Sequence, residues 1–377
     1  MSRPTIMILG IGDLGGHVLE LLARAPGYRR LISADVNEEW GYRKTNIAAF
    51  GAAQMGYYPD FEFTKIDVNN IEKTAETISK YKPDVIYSAV TLQAWWVINA
   101  LPKEVFEKLD KARFGPWLPM HLTLVDKLMC AVKMTGLDIK VVNSAFPDAV
   151  GTVLASRGMA PTCGIGNVAN PVPPIRASIA YRLGVPLKEV TVYFVCQHYV
   201  SHYIPRFGTA GGAPYYLKAV VGGRDVTGEL SIDEVFADLP KRFRRAGGRD
   251  GQILTASSAA TVTLAIADDS YQFTHTPGPE GLPGGYPVVV SAQGAKVQLP
   301  DGISLEKAID INEKGQQADG IERIDKDGTV TYCDWSMDIV KEMFGYDRRV
   351  MKLEETEDCS EELGKKFTAF AAKFQKA

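Results

Sequence analysis

Four glycines fall within nine residues in ILGIGDLGG, positions 8–16. They follow the apolar run TIMIL (5–9) and precede HVLELLAR (17–24), whose apolar residues recur at helical spacing until Pro26 and Gly27. Strand, glycine turn and helix in that order leave few choices for the chain. The pattern is Gly10-x-Gly12-x-x-Gly15. Gly10 permits a tight turn out of the strand, and Gly12 leaves room for a diphosphate to approach the backbone. Gly15 lets the helix pack close to the sheet. The helix start, with Asp13 and Leu14 inside the turn, presents free N–H groups and a partial positive charge to phosphates.

Asp35 ends a second strand, LISADV (31–36), and lies 20 residues beyond Gly15. A carboxylate there can hold both ribose hydroxyls of an adenosine. It also repels a 2′-phosphate, which predicts NAD as cofactor and disfavours NADP. Arg43 and Lys44 read as a solvated helix face.

The alternation continues. TKIDV (64–68) and DVIYSAV (84–90) read as strands three and four, with the amphipathic IEKTAETISKYKP between them. HLTLVDKLMCAVKMTG (121–136) reads as a helix and IKVVNSA (139–145) as a strand. Such βαβ units imply a parallel sheet with right-handed crossovers. The expectation is an α/β chain whose residues 1–150 form a Rossmann-type, doubly wound, dinucleotide-binding domain. Asp67 and Val68 after the third strand are candidates for the adenine pocket, with helix capping as the other reading of Asp67. Ala89, at the end of the fourth strand, is a further cofactor candidate.

From Gly151 to Pro174 the chain is dense in Gly, Pro, Ala and Asn, marking a domain junction. Residues 151–350 read as an α+β substrate and oligomerisation domain, and 351–377 as a helical tail. In the former, VTVYFVCQHYV (190–200) is β-rich, YYLKAVVGGRDVTG gives two strands about a Gly-Gly turn, and ILTASSAATVTLAIA leans to helix. PGPEGLPGGYP (277–287) is a loop, a lid or a long turn. Phe367, Phe370 and Phe374 share one face of the tail, which favours docking on this protein.

The 377 residues suit two domains, and 42 Lys+Arg against 45 Asp+Glu leave a net charge of only −3. That balance argues against nucleic acid or an anionic membrane as the main partner. Five cysteines, none in a CxxC pair, suggest neither a disulfide framework nor a zinc site, which favours a reducing cytoplasm. The N-terminal apolar stretch is too short and glycine-rich for a signal segment.

Hydride transfer from an alcohol or amine also releases a proton, so a base of near-neutral pKa is required. Five histidines exist: His17, His121, His198, His202 and His275. His198 and His202 bracket an expected β-to-loop transition where a second domain faces the cofactor cleft, and His198 is the candidate acid/base. Arg176 could grip a substrate carboxylate bidentately or be a surface arginine at a helix start; Arg206 is a second option. KRFRRAGGR (241–249) reads as a solvated charge run. Trp95 and Trp96 either cover the nicotinamide or pack in the core. No metal site is assigned, because Cys196, His198 and His202 lack a carboxylate at clear spacing.

The stretch from VVNSAFPD (141–148) through CQHYVSHYIPRF (196–207) resembles the lactate/malate dehydrogenase superfamily and its sister group, the NAD-dependent glycosidases. The resemblance covers about 60 residues well. It implies an Asn at a strand end near the nicotinamide (Asn143), a substrate-binding Arg (Arg176) and a catalytic or metal-binding His (His198). Three departures stand out. Pro173 occupies the place of the Asp that orients the histidine in the dehydrogenases. Gly166 replaces the metal-binding Cys of the glycosidases, and Cys196-Gln197-His198-Tyr199 replaces Gly-Glu-His-Gly. KIDVNN and PDVIYSAV in the N-terminal half resemble saccharopine-dehydrogenase-like oxidoreductases. The expected activity is NAD-dependent hydride transfer at a CH–OH or CH–NH carbon of a small polar substrate, carboxylated or not, by a homodimer or homotetramer. The alternatives are a sugar-processing enzyme with a glycosidase-like redox mechanism and a non-catalytic NAD-binding protein.

Overall fold

The computed structural model describes residues 4–27 and 29–374. Its centre is β1 (Thr5–Leu9), an apolar run covered on both faces. Alternation along β1 sends Ile6 and Ile8 into one core and Met7 and Leu9 into another. Around it lie β2 (Arg30–Asp35), β3 (Asp60–Lys65), β4 (Val85–Ser88), β5 (Lys140–Asn143) and β6 (Cys163–Gly164), all parallel, in the order β3-β2-β1-β4-β5-β6. The order reverses beside β1, which opens a crevice at the carboxyl ends of β1 and β4. The sheet continues past residue 150, because β6 pairs with β5.

The crossovers are α1 (Asp13–Ala23), α2 (Glu38–Gln54), α3 (Ile71–Tyr81), the short α4 (Lys103–Leu109) with α5 (Leu118–Thr135), and α6 (Pro147–Ala155). The third strand spans 60–65 rather than 64–68. Asp67 therefore lies in the exposed turn behind it, accepting from the Asn69 N–H at 3.0 Å, while Asn70 caps α3.

Beyond β6 come α7 (Val172–Leu183), β7 (Val190–Val195), α8 (His198–Phe207), β8 (Tyr216–Val221), β9 (Arg224–Asp225), α9 (Ile232–Asp238) and α10 (Gln252–Ala267). They are followed by β10 (Gln272–Pro277), β11 (Gly285–Ser291), β12 (Gly294–Val297), α11 (Leu305–Ala318), β13 (Ile321–Ile324), β14 (Val330–Tyr332), α12 (Asp334–Phe344), β15 (Val350–Met351) and α13 (Thr356–Ala371). The strands form three small antiparallel sheets, β7-β8-β9, β10-β11-β12 and β13-β14-β15.

The β-rich reading of 190–200 needs correction. The strand stops at Val195, Cys196 bridges Gly285, and the Gln197 side chain caps α8 by accepting from the Tyr199 N–H at 2.7 Å. His198 and His202 are thus one helical turn apart rather than on a strand. The 277–287 stretch is a closed, mostly buried link, with the Gly278 N–H on the Gly284 carbonyl at 2.7 Å. The small-residue α10 lies in the same apolar core as α1 and β11. The tail helix docks on the first half of the chain: Phe367 meets Trp117 edge-on at 4.9 Å, and Phe370 meets Phe344 at 5.7 Å. Among the described residues no helix is long and apolar enough to cross a membrane.

Candidate active site

The glycine turn has the geometry of a diphosphate cradle. Gly10 has φ +84°, open to glycine but strained for other residues. A Cβ on Gly15 would stand 1.8 Å from the Gly10 carbonyl oxygen, so strand and helix touch there through backbone alone. A Cβ on Gly12 would meet nothing within 4 Å: the space over the start of α1 is open. No side chain caps α1, which leaves its first N–H groups for a ligand. Asp35 accepts from the Ile11 N–H and the Asn37 N–H, each at 2.9 Å, one on each oxygen. Those bonds fix the carboxylate beside the turn, and its remaining lone pairs stay available to ribose hydroxyls. The cradle and its acid fit a dinucleotide.

Asp13, on the first turn of α1, pairs with Arg249 at 2.6 Å. Ala89 packs against the glycine turn, its N–H on the Leu9 carbonyl at 2.8 Å. Val68 is buried and Asp67 exposed.

From Leu14 a cavity of about 530 Å³ runs between the two halves of the chain. His198, His202 and His121 lie in its wall. His198 Nδ1 is 2.7 Å from a carboxylate oxygen of Asp319, which closes α11. With Nδ1–H donating, Nε2 is the nitrogen left for chemistry. Phe114 stacks on the imidazole at 4.9 Å, Phe146 meets its edge at 5.1 Å, and the His202 ring is 4.3 Å away.

These surroundings split the three histidines. Burial alone lowers the pKa of His198, but the charge and hydrogen bond of Asp319, helped by Asp148, raise it above the ordinary value. His202 is held well below it by burial and by the positive charges of His198, Arg245 and Arg206. His121, bonded to the Thr91 hydroxyl at 3.1 Å, falls to about 3 through burial and the charge of His198. Only His198 is poised to carry a proton near neutral pH. Behind it, Asp148 accepts from the Asn167 amide. Burial raises its pKa to about 6, against the pull of His198 and Asn167.

Two predicted residues do different work. Arg176 gives Nε to the Val190 carbonyl at 2.7 Å and Nη2 to that of Leu187 at 3.1 Å. It staples α7 to the entrance of β7 and is absent from the cavity wall. Asn143 is buried, its amide bonding the Ala145 carbonyl and N–H at 2.9 and 3.0 Å. It shapes the turn that places Ser144 and Phe146 in the wall. Arg206 does reach the cavity, held by both oxygens of Asp110 at 3.1 and 3.3 Å. Trp95 lines it as well, 40% exposed. Cys196 is buried, and among the described residues no three His, Cys, Asp or Glu side chains gather as metal ligands.

No protein-family model matches the sequence and no curated protein does. Solved structures do match. Malate dehydrogenase of Cryptosporidium parvum superposes with a TM-score of 0.56 at 16% identity, covering 84% of this chain and 97% of that one. Lactate dehydrogenase of the same organism, solved with lactic acid and nicotinamide adenine dinucleotide, gives 0.56 and 16% over 85% and 99%. Malate dehydrogenase of Salinibacter ruber gives 0.54 and 16% over 90% and 98%. The fold is that of the lactate and malate dehydrogenases.

On this dehydrogenase fold, sequence reasoning missed Asp319, Arg113, Phe114 and Arg245 in the wall. Asp319 ends a helix before Gly320 and reads locally as a helix stop. Its role comes from the chain returning to His198, 121 residues away in sequence.

Proposed function

We propose that the protein is an NAD-dependent oxidoreductase that moves a hydride to or from a CH–OH or CH–NH carbon of a small polar substrate. The carrying observation is the His198–Asp319 pair in a cavity that begins at the glycine cradle. Gly10, Gly12 and Gly15, with the start of α1, would seat the diphosphate, and Asp35 the adenosine ribose. The bound nicotinamide supplies the hydride acceptor or donor. During oxidation His198 Nε2 takes the proton of the reacting hydroxyl or amine, and Asp319 stabilises the imidazolium that forms. In reduction the same nitrogen returns it. Phe114 and Phe146 keep water from the imidazole.

The fold neighbours solved with NAD and with lactic acid support this reading by analogy of fold. The expected Asp is replaced in sequence by Pro173, and Asp319 supplies the missing carboxylate from another helix. A redox glycosidase is the second reading, weakened by Gly166 at the place of a metal-binding Cys. On either reading the substrate is a small molecule and the setting cytoplasmic. Self-association fits α2, where Tyr42, Ile47 and Phe50 are 59%, 59% and 67% exposed.

The test is a panel of hydroxy acids, amino acids and sugars with NAD, followed by absorbance of the reduced nicotinamide. Net accumulation supports a dehydrogenase, whereas a redox glycosidase regenerates its NAD. His198→Gln should abolish turnover while NADH still binds; full activity in that variant removes the proposed base.

A further inference from the structure

The oxidoreductase reading leaves the substrate class open, and the charges of the cavity wall narrow it. Three guanidiniums, Arg113, Arg206 and Arg245, face two carboxylates, Asp110 and Asp319. Arg206 is spent on Asp110. Arg113 lies 3.9 Å from the same carboxylate, with its guanidinium 5.3 Å from the Tyr199 ring. Asp319 is spent on His198. Arg245 has no ion pair or side-chain hydrogen bond among the described residues, yet it is only partly exposed. Burial lowers its pKa, and its charge is felt at His202. A half-buried guanidinium without a partner stays poorly solvated until an anion arrives. The rest of the wall is largely aromatic: Trp95, Phe106, Phe114, Phe146, Tyr199 and Tyr203.

We infer that Arg245 is the specificity-determining anion grip of this cavity, and that the substrate is a monocarboxylate carrying a bulky aromatic or apolar body. This rests on the oxidoreductase reading. One uncompensated cation suits one carboxylate, which the planar fork can hold through two parallel hydrogen bonds. A second carboxylate would have to draw Arg206 or Arg113 away from Asp110. A volume of about 530 Å³ falls in the range that encloses whole organic ligands, and a three-carbon acid would leave most of the aromatic wall against water. The residue lies in the run KRFRRAGGR, whose other charges on the sequence pattern are a solvated face; Arg245 is the member turned to the cavity.

The experiment titrates phenylpyruvate, pyruvate and phenylpyruvate methyl ester calorimetrically into wild type, Arg245→Gln and Arg245→Lys, with and without bound NADH. Phenylpyruvate should bind at least about tenfold tighter than pyruvate or the ester. Arg245→Gln should lose about tenfold to a hundredfold of that affinity, as expected for a charge-assisted bond, with Lys intermediate and NADH affinity within about twofold. Equal binding of phenylpyruvate by wild type and Arg245→Gln overturns the inference, as does equal binding of acid and ester. A loss of NADH affinity instead would make Arg245 a cofactor contact and also overturn it. If wild type binds no NADH, the oxidoreductase reading fails. The titrations without NADH then still decide whether Arg245 holds a carboxylate.

Discussion

His198 Nδ1 and the Asp319 carboxylate lie 2.7 Å apart, joining the first residue of α8 to the end of α11. The carboxylate holds the imidazole in one tautomer and favours its protonated form. Asp319→Asn should therefore act on both activity and its pH dependence. Turnover should fall about a hundredfold, in the range seen when a supporting partner of a catalytic imidazole is removed. Since Asp319 raises the pKa of His198 against the downward pull of burial, its loss should move the pH limb of the oxidation reaction toward acid. A pH–rate profile with the limb in place would show that the pair is structural only.

Gly12 and Gly15 belong to one fingerprint but meet different surroundings. Gly15→Ala drives a methyl onto the Gly10 carbonyl, 1.8 Å from where it would sit. It should lower stability by about 1–3 kcal/mol or more. Gly12→Ala meets no protein atom within 4 Å and has an ordinary φ of −67°. It should leave the melting temperature nearly unchanged and weaken NADH binding at least about tenfold. Thermal melts and NADH fluorescence titrations on both variants check the contrast. Unweakened NADH binding in Gly12→Ala would mean that the diphosphate rests elsewhere.

Local pattern reads well where a residue's neighbours in sequence decide its fate. β1, β2 and β4 are apolar runs buried in a parallel sheet, and their periodicity announces them. DFEFTK alternates apolar and charged residues because β3 is an edge strand, and its signal slides toward the more apolar KIDV. VTVYFVCQHYV carries β propensity past Val195; the break is imposed by tertiary partners, Gly285 on Cys196 and the Gln197 cap. Arg176 has the position of a substrate ligand but spends its guanidinium on carbonyls of Leu187 and Val190. Asp319 gives no local sign of its role, since the contact that matters spans 121 residues. The glycine turn is legible because its chemistry is local, and the catalytic pair is hidden because it is not.

Asp35 should set the choice between the two nicotinamide dinucleotides. Its carboxylate sits beside the turn, bonded to the N–H groups of Ile11 and Asn37. Asp35→Ala removes the charge that repels a 2′-phosphate and should narrow the NAD/NADP affinity ratio about tenfold or more. Losing two hydrogen bonds should also cost about 1–3 kcal/mol of stability. Parallel titrations with NADH and NADPH test the first effect, and an unchanged ratio would count against the ribose role.

The exposed apolar residues of α2 give self-association a specific face. Ile47 and Phe50 are 59% and 67% exposed, an unusual cost for a free monomer. Ile47→Glu with Phe50→Glu should turn an oligomer into a monomer without loss of helix content. Sedimentation velocity reads this directly, and an unchanged mass would move the contact to another surface.

Acid should unfold the protein through histidines that the fold keeps neutral. His275 is buried and accepts the Phe194 N–H at 3.2 Å. Burial, then the charge of Arg176, lowers its pKa from 6.5 to about 3, and His121 falls equally far. A folded-state pKa below the unfolded value contributes stability that is full above pH 6.5 and drains away as pH falls toward 3. Each pKa unit corresponds to about 1.4 kcal/mol, so each histidine accounts for a few kcal/mol over that window. His198 runs the other way: its raised pKa contributes stability at low pH that is lost as pH climbs through the folded value. Two such histidines against one should give a net loss on acidification. His275→Gln keeps an acceptor for the Phe194 N–H and removes the titration, so its stability should fall less steeply between pH 6.5 and 3. Urea midpoints measured across that window decide it, and parallel curves for wild type and variant would refute the assignment to His275.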